Sequence, residues 1–179
     1  MVIIYLADGF EEMEALAPAD ILRRAGVEVV LAGVTGMTVT GAHGIKVLAD
    51  IDAKDADYEN AEMVFLPGGG TGSKNLDSSE IVDKAINYCY NNGIRLAAIC
   101  AAPFILGKRS FLKGKKAVCF PGFEEQLTGA ELQSEPVVTD GLITTGKSAG
   151  WAKDFGLELV AVLKGEKAKE ALQASMDAK

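Results

Sequence analysis

Histidine is nearly absent from this chain: His43 is the single one in 179 residues, so any site that needs two histidines is excluded. Cysteine is sparse as well. Cys89, Cys100 and Cys119 are odd in number and widely spaced, and there is no CxxC pair or Cys/His cluster. That pattern speaks against a disulfide framework or a structural zinc site, and for a reducing, cytoplasmic compartment. Positive charge is in deficit, 18 Lys and Arg against 25 Asp and Glu, for a net charge of -7. Nucleic acid and anionic membrane both prefer a basic face, so neither is expected as the main partner. No apolar run approaches the roughly 20 residues that a membrane-crossing helix requires. The opening Met1–Asp8 has no basic segment and reads as a strand rather than a signal peptide.

What the chain has is apolar content, 49% hydrophobic against 24% charged residues, which fits a folded domain and not a disordered one. The length suits a single domain over 1–179. Short apolar runs alternate with amphipathic stretches. Strands are expected at Val2–Ala7, Val27–Val34, Ala61–Leu66 and Arg95–Ile99, with a short one at Ala117–Cys119. Helices are expected at Glu14–Ala25, closed by Gly26, and at Ser79–Asn91, closed by Asn92-Gly93. Another starts after Cys100, and two more occupy Ala152–Leu163 and Glu166–Ala174. Hairpins are expected around Gly41–Gly44 and at Asp140-Gly141. Strands separated by helices of this length imply an α/β domain with a mainly parallel sheet, helices on both faces and hairpins at the edges.

In such a sheet ligands sit at the carboxyl ends of the strands. Three strand ends carry unusual residues there: Asp8–Glu14, Pro67–Gly70 and Ile99–Pro103. Cys100 follows an apolar strand and precedes small residues and a helix, the pattern of a nucleophile elbow, and helix amides behind the sulfur would favour a thiolate at neutral pH. The competing reading is a buried core cysteine, which is the one that fits Cys89 on its apolar helical face. Cys119 is left between an edge and a surface thiol. Glu11 and Glu12 are explained by the helix dipole. Glu14, beside Ala15, Leu16 and Pro18, is positioned to point inward, where a carboxyl has a raised pKa and can donate or move a proton. The Gly68-Gly69-Gly70 run is a turn or an oxyanion site. Gly141–Ser148 matches the phosphate-loop pattern GxxxxGK[ST] letter for letter. Its four intervening residues are apolar and β-branched and form a strand themselves, so nucleotide binding is rejected. The Gly146–Gly150 stretch still brings amides toward a pocket. His43 reads as a solvated loop residue, and Trp151 as packing at the start of its helix.

Taken together, Ala7-Asp-Gly-Phe-Glu-Glu-Met-Glu14, Leu22-Arg-Arg-Ala-Gly26, Leu66-Pro-Gly-Gly69, Ala97-Ala-Ile-Cys-Ala-Ala-Pro103 and Asp140-Gly-Leu-Ile-Thr-Thr-Gly146 resemble the ThiJ/PfpI superfamily. The branch they resemble holds the Parkinson-disease-associated redox protein and bacterial ThiJ/YajL-like proteins. The resemblance implies a flavodoxin-like three-layer sandwich and a homodimer. It implies a reactive cysteine at Cys100 with a protonated glutamate, Glu14, beside it, and a glycine pair, Gly68 and Gly69, lining the site. It places Arg24 near the dimer contact, and His43 where relatives tend to carry an interface arginine. It implies glyoxalase or deglycase chemistry on methylglyoxal and its adducts, with Gly69 and Ala101 amides holding the oxyanion. The alternative it implies is an oxidative-stress sensor or chaperone acting through a Cys100 sulfinate. Neither reading needs a cofactor or a metal. Where some relatives have Thr-His-Pro, this chain has Cys119-Phe120-Pro121, so no Cys–His dyad is expected there and a cysteine peptidase is a distant third.

Overall fold

The computed structural model describes residues 1–177. The elements run β1 (Val2–Leu6), α1 (Glu12–Arg24), β2 (Val29–Gly33), β3 (Thr38–Thr40), β4 (Lys46–Leu48), β5 (Ile51–Asp52), β6 (Met63–Leu66), α2 (Gly70–Asp77) and α3 (Glu80–Asn91). They continue with β7 (Arg95–Ile99), α4 (Pro103–Lys108), β8 (Lys116–Ala117), β9 (Glu131–Leu132), β10 (Val137–Asp140), β11 (Ile143–Gly146), α5 (Ala152–Lys164) and α6 (Glu166–Met176).

Seven strands form the main sheet, in the order β10-β11-β7-β6-β1-β2-β5. Every pairing is parallel except the edge hairpin β10–β11. Both faces are covered, which explains why the strands read as continuous apolar runs. Alternation sorts their side chains into two cores. Ile3, Tyr5, Val64, Leu66, Leu96 and Ala98 join the side covered by α2, α3 and α4. Val2, Ile4, Leu6, Met63, Phe65, Ala97 and Ile99 join the side covered by α1 and α5.

The two expected hairpins have different fates. β10–β11 extends the sheet edge around Asp140-Gly141, with Gly141 at φ 61°, as its turn requires. β3–β4 stands apart as its own two-stranded ribbon. Its tip is stitched to the loop after β1, because Gly9 N–H donates to Thr40 O (2.8 Å) and Ala42 N–H to Phe10 O (2.8 Å). Within the stretch matching a phosphate loop, Ile143–Gly146 are strand β11, paired on both sides.

Helix α2 was not legible in the sequence, since Gly70-Thr-Gly-Ser has the composition of a loop. One of those glycines, Gly72, is there for close approach. A Cβ on Gly72 would lie 2.5 Å from Phe10 N and Cα, so the start of α2 presses directly on the backbone after β1. Gly72 N–H donates to Gly9 O (3.0 Å) and Glu11 N–H to Gly68 O (3.0 Å), which ties the two loops together.

Candidate active site

The ends of β1, β6, β7 and β11 converge at one edge of the sheet. At the end of β1, Glu11 caps α1, its carboxylate accepting the Glu14 N–H at 2.8 Å. This fixes the first helical turn and aims Glu14 into the protein, where it is 0% exposed. Pro18 has no N–H to offer the Glu14 carbonyl four residues earlier, so the helix is loosened at the turn that carries the acid.

Cys100 follows β7 with φ 65°, one of two non-glycine residues with positive φ among the described residues. Such a conformation costs of order 1–3 kcal/mol and persists only where neighbours enforce it. They do so here through the backbone: Cys100 N–H donates to Gly146 O (2.9 Å), and its carbonyl accepts the Phe120 N–H (2.8 Å). The elbow expected from the sequence is therefore present, followed by fully enclosed Ala101 and Ala102.

Gly68 is where acid and thiol meet. A Cβ built there would stand 2.7 Å from Cys100 Cβ and collide with Glu14 Oε2. The missing side chain leaves a gap flanked by both groups. Around it, the Gly68 and Ala149 amides face the carboxyl, and the Ala101 and Gly69 amides face the sulfur. Neither Glu14 oxygen closes a hydrogen bond of full geometry. Gly69, at φ 93°, directs its carbonyl away, to the Ser73 hydroxyl (2.7 Å) and N–H (2.9 Å), while its own N–H turns to the sulfur.

Electrostatics follow from this geometry. Burial, reinforced by the charge of Glu11, raises the Glu14 carboxyl from 4.5 to about 7. Burial and the Glu14 charge push the Cys100 thiol up to about 12, against the pull of the Ala101 and Gly69 amides. This corrects one expectation. The helix terminus expected behind the sulfur is further off than the sequence implied, because α4 begins only at Pro103, and the sulfur is half-buried beside an acid. The two groups form a coupled pair that resists carrying two negative charges.

The other candidates lie elsewhere. His43 Nδ1 binds Glu12 Oε2 at 2.8 Å, and the ring is largely exposed. Glu12, which the dipole reading undervalued, is buried and also accepts the His43 N–H (2.8 Å) and Ile45 N–H (3.3 Å), so it clamps the β3–β4 tip onto α1. Glu11, Glu12 and His43 each bring one potential ligand atom within 4.8 Å of one another, with both carboxylates already committed to backbone amides. Arg24 lies ten residues along α1 from Glu14, about 15 Å by helical rise, paired with Asp20 at 2.7 Å, and does not enter this pocket. Cys89 is core, as expected. Cys119 is neither edge nor surface but 4% exposed, and burial pushes its thiol up to about 11. Its side chain joins the core opposite to the one Cys100 packs against. Trp151 is 42% exposed rather than packed. Ala149 was missed as an individual residue, although the Gly146–Gly150 stretch was expected to bring amides to a pocket.

Comparison with known proteins bears on the family and the fold. The profile described as the DJ-1/PfpI family matches residues 1–162. Protein dj-1beta of Drosophila melanogaster is 34% identical over 172 residues, covering 94% of this chain and 92% of the fly protein. Protein DJ-1 homolog B of Arabidopsis thaliana is 32% identical over 161 residues, covering 89% of this chain but 37% of that longer protein. The structure of oxidized Toxoplasma gondii DJ-1 superposes with a TM-score of 0.93 at 30% identity, covering 98% of this chain and 96% of that one.

A carboxyl that is easier to bury neutral than charged makes stability fall as pH rises. With Glu14 raised from 4.5 to about 7, its stabilising share is complete below the unfolded value and lost by the time pH passes the folded one. Glu14→Gln cannot ionise. It should exceed the wild type at pH 8 by about 3 kcal/mol, with the gap closing toward pH 4.5, in urea unfolding followed by circular dichroism.

Proposed function

The chain belongs to the DJ-1/PfpI family, and we propose that it is a cysteine-dependent stress-protective protein whose Cys100–Glu14 pair acts on methylglyoxal or its adducts. One observation carries this reading: a fully buried carboxyl without a complete hydrogen bond, raised to about 7, faces an elbow cysteine across the gap at Gly68. A group titrating near the working pH is the right one for moving protons in both directions. A free thiol pushed up to about 12 needs such a base at the moment of attack.

The steps balance as follows. Glu14 carboxylate takes the Cys100 thiol proton as sulfur attacks the aldehyde carbon, and returns it to the carbonyl oxygen, giving a hemithioacetal. The Gly69 and Ala101 amides, already facing the sulfur, stabilise the developing oxyanion. Glu14 then takes the proton from the carbon bearing sulfur and delivers it to the neighbouring carbon, while the hydroxyl proton passes to the former ketone oxygen, which leaves a lactoyl thioester. Water hydrolyses the thioester to lactate and frees the thiol. No external oxidant or cofactor enters.

A second reading is favoured by a separate observation, the relative solved as oxidized Toxoplasma gondii DJ-1. Two equivalents of peroxide would take the thiol to a sulfinic acid with release of two waters. Protonated Glu14 and the two amides would hold its oxygens. A peptidase has less support, because the only histidine is engaged by Glu12. The homodimer belongs to the same proposal. Met13 on α1 and Ile45 and Leu48 at the β3–β4 ribbon are apolar and 58%, 56% and 71% exposed, the kind of surface a second copy covers. So does a reducing cytoplasm, which fits three unpaired cysteines. Among the described residues no helix is long and apolar enough to cross a membrane.

With methylglyoxal as substrate, lactate release should be abolished in Cys100→Ser and fall roughly 10²–10⁴-fold in Glu14→Gln. Equal rates in wild type and Cys100→Ser would reject the enzymatic reading. Mild peroxide followed by intact-mass analysis should add two oxygens to wild type and none to Cys100→Ala, and the same gain in Cys100→Ala would reject the sensor.

A further inference from the structure

At the opposite end of the same strands lies a second cavity that the Cys100 chemistry does not use. It has a volume of about 240 Å³ and is lined by Tyr90, Ile94, Leu96, Leu142 and Ile143, with Lys115 and the Gly141 turn at its rim. Leu96 and Ile143 are cross-strand partners in β7 and β11. Four residues of strand separate Leu96 from Cys100, about 13 Å.

The walls are apolar and built on rigid elements. Leu96 and Ile143 are buried, and Leu96 N–H donates to Leu142 O at 2.9 Å, which fixes the floor. Tyr90 stacks on Phe111 with ring centroids 4.0 Å apart and planes 7° apart, so one ring braces the other at the side of the cavity. Tyr90 and Leu142 remain 41% and 43% exposed, a substantial apolar opening for a chain of this size.

The rim is cationic in a protein that is acidic overall. Among the described residues the Lys115 ammonium has no ion pair and no hydrogen bond, and it lies 3.7 Å from where a Gly141 Cβ would stand. Arg95 sits beside it, its guanidinium reaching Gly141 O at 3.4 Å. The acid at this turn, Asp140, accepts the Lys116 N–H at 2.9 Å and pairs with neither cation. A dry apolar cavity of about 150 Å³ accepts benzene. The present volume holds one ring together with an acidic group at the mouth.

We propose that this cavity binds a small monoanion with a flat apolar body, an aryl carboxylate, its ring between Tyr90 and Leu142 and its carboxylate on Lys115. The site is independent of Cys100.

Phenylacetate and its uncharged analogue phenylacetamide, titrated into the full-length ¹⁵N-labelled chain, test this. Phenylacetate should give saturable amide shifts confined to residues 90–96, 115 and 141–143, with phenylacetamide at least about 10-fold weaker. Lys115→Met should erase the preference for the acid, and Cys100→Ser should leave it intact. Equal affinity for acid and amide, shifts centred on the Cys100 pocket, failure to saturate, or changes that follow protein concentration instead of ligand would each overturn the proposal.

Discussion

The burial of the Glu14 carboxyl beside a cysteine is the constraint around which this end of the molecule is built. A charged carboxylate there would be expensive, because it has no exposure and no complete hydrogen bond. The protein instead lets the group keep its proton to near neutrality. That choice destabilises the folded state at alkaline pH, and it leaves a titratable acid next to a cysteine. The strained Cys100 backbone belongs to the same economy of function over stability. Both features are held by the sheet, whose parallel register delivers Cys100 and Gly146 side by side.

Glycine makes the meeting possible. Gly68 leaves the gap between acid and thiol, and Gly72 lets α2 rest on the backbone after β1. Gly69 turns one amide toward the sulfur while Ser73 holds its carbonyl from behind. Glu12 plays the corresponding part on the far side, holding the β3–β4 ribbon on α1 through backbone amides and His43. Three acids in four positions thus have three separate places: Glu11 caps, Glu12 clamps and Glu14 is buried beside Cys100.

Much of this was readable from residue pattern. Continuous apolar runs announced strands covered on both faces, and Asp140-Gly141 announced its hairpin. The elbow was visible in Cys100 and the small residues after it, and the inward acid in its apolar neighbours. What escaped depends on contacts between segments distant in sequence. α2 hides in a glycine-rich composition whose reason is the approach to Phe10. Glu12 looks like any first-turn acid until Gly41–Ile45 folds over it. At Cys100 the sequence shows the small residues and helix that follow, whereas the burial and neighbouring charge that oppose ionisation come from segments distant in sequence. Cys119 fell into the core because the chain around Phe120 is tied to the Cys100 carbonyl.

The central claim is that Glu14 is held neutral by burial, and its own titration reads that directly. In protein labelled with ¹³C at the glutamate carboxyls, the Glu14 resonance should titrate near pH 7, far above its usual 4.5. In Cys100→Ala it should stay as high or higher, since the nearby thiol only lowers it. A Glu14 carboxyl that titrates below about pH 5 in the wild type, within the ordinary range for glutamate, would contradict the account.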